Sequence, residues 1–101
     1  MPGDEHSHTA LTQAAWRLVT IRNQRGLHAR AAAKFVKLAG QFTAEVMVTK
    51  GDMMVMGTSI MGLMMLAAAP GTELELRATG AGAEAVLAAL SALVDRRFDE
   101  D

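Results

Sequence analysis

Gly26-Leu27-His28-Ala29-Arg30 marks the place where a strand pattern stops and a helix pattern starts. Upstream, Val19 and Ile21 alternate with Leu18, Thr20 and Arg22, the period of two of a half-buried strand over residues 16–22. Asn23, Gln24, Arg25 and Gly26 then break it, as turn formers do. Downstream, residues 29–39 are rich in alanine, and Ala32, Phe35, Val36 and Ala39 recur at i, i+3, i+4 and i+7. Gly40 supplies the stop signal. Arg30, Lys34 and Lys37 fall on another face of the same helix, at i, i+4 and i+7. A helix start leaves backbone N–H groups unpaired, which makes it an anion site. His28 stands at that start.

The remaining elements follow outward from this junction. Residues 42–49 alternate Phe42, Ala44, Val46 and Val48 against Thr43, Glu45, Met47 and Thr49. Lys50-Gly51-Asp52 turns the chain, and residues 53–56 return as the second strand of a hairpin. Ser59 is a natural N-cap for a short helix over residues 60–67, apolar on every side except at Gly62. Such a helix cannot bury all its faces in a two-layer domain, and a methionine-rich remainder suits partners of differing shape. Plain core packing is the competing reading. Residues 72–79 alternate Leu74, Leu76 and Ala78 against Glu73, Glu75 and Arg77. Val86, Leu87, Leu90, Leu93 and Val94 mark a last helix reaching about residue 97. The order βαββαβα, with strands that have one polar face, predicts an α+β fold: an antiparallel sheet covered by helices on one side.

Bulk properties narrow the function classes. A chain of 101 residues without cysteine makes one domain, with neither a disulfide framework nor a thiolate metal site. Residues 1–15 read as a mobile tail and residues 16–101 as the domain. His6-Ser7-His8 in the tail lacks the further ligands a metal needs, so no metal or cofactor is expected. The start is acidic, and no apolar run reaches about 18 residues. A cytoplasmic protein away from the membrane is expected. Net charge is −1, yet six of the ten basic residues lie between Arg17 and Lys37 with no acid among them. That asymmetry fits an acidic or phosphorylated partner or a plain solvated face. No aromatic residues interleave with these charges, which argues against nucleic acid.

His28 has several possible uses. Metal binding lacks a second ligand at helical spacing, and general acid–base work lacks a nearby carboxylate in sequence to orient the ring. Covalent carriage of an anion remains, with donors at Ala29 and Arg30 and the guanidinium of Arg30 within reach.

Gly26-Leu27-His28-Ala29-Arg30, followed by Thr58-Ser59-Ile60-Met61-Gly62-Leu63-Met64, resembles the HPr family of histidine phosphocarriers of the bacterial phosphoenolpyruvate phosphotransferase system. The likeness spans about residues 16–98. It implies an open-faced β-sandwich, with a four-stranded antiparallel sheet and three helices on one face. It implies that His28 is phosphorylated on Nδ1 by enzyme I, with Arg30 assisting, and that the group passes to a IIA-type acceptor protein. The protein is then a carrier rather than an enzyme, acting as a monomer. Ser59 matches a regulatory serine that HPr kinase/phosphorylase modifies in some bacteria. Arg25, Leu27, Lys34, Ile60, Met61, Leu63 and Met64 are the expected docking residues. The family's usual proline after the arginine is replaced by Ala31. Residues 23–26, 42–46 and 98–101 resemble the nitrogen-related paralogue, whereas residues 59–66 look like kinase-controlled members. This mixture favours a regulatory phosphorelay over sugar uptake, with a small-molecule-sensing βαββαβ module as the rival from another class.

Overall fold

A computed structural model describes residues 13–100. Its elements are β1 (Ala14–Thr20), α1 (Ala29–Ala39), β2 (Glu45–Lys50), β3 (Met53–Met56), α2 (Ile60–Met65), β4 (Glu73–Thr79) and α3 (Ala83–Asp95). The four strands form one antiparallel sheet in the order β1-β4-β2-β3. The α+β class, the element order and the open-faced arrangement are as expected from sequence. β1 begins at Ala14, two residues earlier than the alternation indicates, so Ala14 and Ala15 belong to the domain rather than to a tail. His6, Ser7 and His8 lie outside the described residues.

The alternation read from sequence sorts the two faces of the sheet. Val19, Val46, Val48, Leu74, Leu76 and Ala78 point into the core. There they meet Phe35 and Ala32 from α1 and Val86, Leu87, Leu90 and Val94 from α3. Each fully buried valine, leucine or phenylalanine among them contributes about 1.5–3 kcal/mol. The outer face is less polar than expected. Trp16 and Leu18 are exposed on β1, and Met54 and Met56 on β3. Register places Trp16 beside Arg77, and Arg77 beside Met47, which in turn faces Met56.

β2 starts at Glu45 rather than at residue 42. The end of α1 continues as a turn, in which the N–H groups of Gln41 and Phe42 donate to the carbonyls of Leu38 and Ala39. Among the described residues, no helix is long and apolar enough to cross a membrane.

Candidate functional site

The loop before α1 is fastened to the segment that follows α2. The N–H of Ile21 donates to the Thr72 carbonyl at 2.9 Å, that of Gly71 to Ile21 at 2.7 Å, and that of Leu27 to Ala68 at 2.9 Å. Gly26 fits because it has no side chain: φ is +68°, and a Cβ there would lie 2.4 Å from the Ala68 carbonyl oxygen. Beneath the loop, Asn23 is completely buried, and its Nδ2 donates to the Gly26 carbonyl at 2.7 Å. The chain therefore enters α1 along a fixed path.

His28 occupies the N-cap of α1 in extended backbone conformation, and its side chain makes no capping hydrogen bond. The first intrahelical bond runs from Ala32 N–H to the His28 carbonyl at 2.8 Å. The N–H groups of Ala29, Arg30 and Ala31 precede it and have no intrahelical acceptor. Arg30 is exposed, and so is Arg25 on the loop. Among the described residues, neither takes part in a salt bridge, whereas Arg17 and Arg22 are drawn off to Glu84 and Asp95. The basic stretch thus includes two paired arginines, Arg17 and Arg22, and two left available at the cleft, Arg25 and Arg30.

The sequence reading found no carboxylate for the His28 ring, and the structure corrects it. Glu100 Oε2 lies 2.6 Å from His28 Nε2 in a pair whose side chains are 17% and 18% exposed. The other carboxylate oxygen accepts from Asn23 Nδ2 at 3.0 Å. Burial alone would push the Glu100 carboxyl up. The hydrogen bonds from Asn23 and His28, with the positive charge of Lys34, outweigh that and hold it below the usual range.

A turn that sequence gives no sign of delivers Glu100. α3 ends at Asp95, and Arg97, Phe98 and Asp99 all have positive φ, at 60°, 55° and 60°. Left-handed backbone costs roughly 1–2 kcal/mol per non-glycine residue, so about 3–6 kcal/mol must be offset. Complete burial of Phe98 supplies about 1.5–3 kcal/mol. Lys34 Nζ donates to the Phe98 carbonyl at 2.7 Å, worth about another 1.5–3 kcal/mol. Arg96 Nε donates to Asp99 Oδ1 at 2.8 Å on the exposed side. The anchors and the strain are of the same size. Gln24, Arg25, Arg30, Lys34, Asp99 and Glu100 together line a cleft of about 370 Å³ beside the histidine.

The expected docking residues separate. Ile60, Met61 and Met64 are exposed, Met61 at 75%, and Arg25 and Lys34 lie at the cleft. Leu27 and Leu63 are core residues, 5% and 0% exposed, because Leu27 is drawn under the loop and Leu63 is on the inner side of α2. A partner cannot reach either. Met65 at 67% exposure joins the surface in their place. Ser59 caps α2, its Oγ accepting from Gly62 N–H at 2.9 Å.

Comparison with known proteins bears on what this site serves. The family model for the PTS HPr component phosphorylation site matches residues 16–96. Phosphocarrier protein HPr of Neisseria meningitidis is 52% identical over 82 residues, covering 81% of this chain and 92% of that protein. Phosphocarrier protein NPr of Shewanella violacea is 45% identical over 84 residues, covering 83% and 92%. The crystal structure of HPr from Thermoanaerobacter tengcongensis superposes with a TM-score of 0.83 at 37% identity, covering 86% of this chain and 98% of that one. With its open-faced fold and a histidine at an uncapped helix start, the chain belongs to the HPr family and is a phosphocarrier of the phosphotransferase system rather than an enzyme.

Proposed function

We propose that His28 is the residue that carries the phosphoryl group, received from enzyme I and handed to a IIA-type acceptor protein. The observation behind this reading is the uncapped start of α1, where the N–H groups of Ala29, Arg30 and Ala31 have no intrahelical acceptor. An anion there gains about 0.3–1 kcal/mol from the helix dipole, enough to orient the group without trapping it. The guanidinium of Arg30 adds a bidentate donor that can follow the phosphoryl group as charge builds on its oxygens. Arg25 and Lys34 extend the positive field toward an acidic or phosphorylated partner. Ile60, Met61, Met64 and Met65 give that partner an apolar surface to rest on. Incubation with phosphoenolpyruvate and enzyme I should give an acid-labile, base-stable adduct that is absent from His28→Ala. Label that survives this substitution would overturn the assignment.

The branch served is, in this reading, a regulatory, nitrogen-type relay. Relatives named HPr and NPr match at similar identity, 52% and 45%. The resemblance of residues 23–26, 42–46 and 98–101 to the nitrogen-related paralogue supports that branch. Faster transfer from the phosphorylated protein to a sugar-branch IIA than to a nitrogen-branch IIA would reverse this choice.

Ser59 is the proposed second phosphorylation site, modified by an HPr kinase/phosphorylase where one is present. Its hydroxyl lies at a helix start that tolerates negative charge, within the Met61 and Met64 surface. A phosphate there adds about −1.5 to −2 charge to the face that a partner must cover. Phosphate analysis after incubation with such a kinase, with Ser59→Ala as control, tests it.

A further inference from the structure

We propose that Glu100 is a positioning residue for phosphoryl transfer: its carboxylate holds the His28 ring as the Nε2–H tautomer, presents Nδ1 as the nucleophile, and balances the positive charge that the ring acquires. This rests on His28 being the phosphoacceptor.

An ionised carboxylate can only accept hydrogen bonds. At 2.6 Å from Oε2, the Nε2 atom must therefore be the donor, and it carries the proton. Neutral imidazole has one N–H, so Nδ1 keeps its lone pair. The carboxylate that holds the ring is itself fixed, because its Oε1 is tied to the buried Asn23. The charged groups around the pair are Arg25 from the loop, Arg30 and Lys34 from α1, and Asp99 from the C-terminal turn.

The transfer balances as follows. The Nδ1 lone pair forms the N–P bond, the bond from phosphorus to the donor's leaving atom breaks, and that electron pair leaves with the donor. The Nε2 proton stays where it is. The ring, phosphorylated on Nδ1 and protonated on Nε2, becomes an imidazolium facing the Glu100 carboxylate. The pair is a neutral donor with an anion before transfer and a cation with an anion after it. The contact thus strengthens along the reaction, the condition under which an interaction speeds a step rather than only binding its reactant.

Long-range ¹H–¹⁵N correlation spectra of the free protein read the His28 tautomer directly and need no phosphoryl donor. The wild type should show Nε2–H with Nδ1 unprotonated, and Glu100→Ala should shift the ring toward a mixture. Phosphorylation of Glu100→Ala by phosphoenolpyruvate and enzyme I should slow roughly ten- to a hundredfold, the scale seen when the partner that orients a metal-bound histidine is removed. Glu100→Asp, which keeps the charge on a shorter arm, should restore part of the rate. A wild-type ring protonated on Nδ1, or an unchanged rate in Glu100→Ala, would overturn the role of Glu100 while leaving carriage by His28 intact. A wild-type protein that takes no label at His28 would instead remove the reading on which the proposal rests.

Discussion

Glu100 meets His28 at 2.6 Å across a sequence separation of 72 residues, and the carboxylate is shared with the buried Asn23. The pair ties the C-terminal turn to the start of α1. Its strength follows the ionisation of Glu100, and the sign of that dependence is fixed. Glu100 in the folded chain lies below the reference value of 4.5, so the ionised form favours folding. The contribution is complete above the unfolded value and fades as pH falls through the lower folded one. The stability difference between wild type and Glu100→Ala, from urea unfolding, should shrink as pH falls below about 4.5. A difference that persists undiminished into stronger acid would refute the coupling.

Gly26→Ala should destabilise the fold by more than about 1 kcal/mol, since left-handed backbone and a blocking carbonyl act together. Gly51, also at positive φ but with open space around it, gives the contrast: Gly51→Ala should lose only the backbone part. Equal losses in the two variants would mean that the Ala68 carbonyl moves aside freely.

Ala31→Pro should keep the fold, because no intrahelical bond uses the Ala31 N–H. It removes one donor from the helix start. At about 0.5–1.5 kcal/mol for such a bond, the phosphohistidine should hydrolyse roughly two- to tenfold faster. Unchanged hydrolysis, followed by loss of label over time, would show that this donor does not face the phosphoryl group.

Met61→Glu and Met64→Glu should each weaken binding to enzyme I by more than about 1 kcal/mol, roughly fivefold, with unfolding midpoints unchanged. Leu63→Ala should do the opposite. Its side chain is wholly buried, so about 2–5 kcal/mol of stability should go while the docking surface stays chemically intact. Titration calorimetry beside thermal unfolding separates the two behaviours.

Ser59→Ala should cost about 0.5–2 kcal/mol through the lost cap on α2, measured by urea unfolding. No loss would mean that the Gly62 N–H finds another acceptor.

The strands and long helices were legible because their information is local. Val46 and Val48, or Phe35 and Ala39, declare a face by spacing alone. The placement of His28 at a helix entrance followed from the same reasoning. In the short helix α2 spacing carries no such information. Apolar residues surround it, so periodicity could not tell the buried Leu63 from the exposed Met61 and Met64. Leu27 was misjudged for a related reason, its neighbours in sequence being polar while its neighbours in space are not. The Glu100 contact was invisible because two non-local facts make it. Phe98 must find the core, and Arg97 and Phe98 must turn left-handed beside Asp99, a conformation that sequence signals through glycine, asparagine or aspartate and not through arginine or phenylalanine.

The three backbone bonds between residues 21–27 and residues 68–72 act as a seam. They join the loop that leads into α1 to the chain leaving α2, so His28 and the methionine surface keep one fixed spacing. Insertions or deletions on either side of the seam would change that spacing as a whole. Lineages that lengthen one loop should therefore show a matching change in the other, or in the partner that measures the gap.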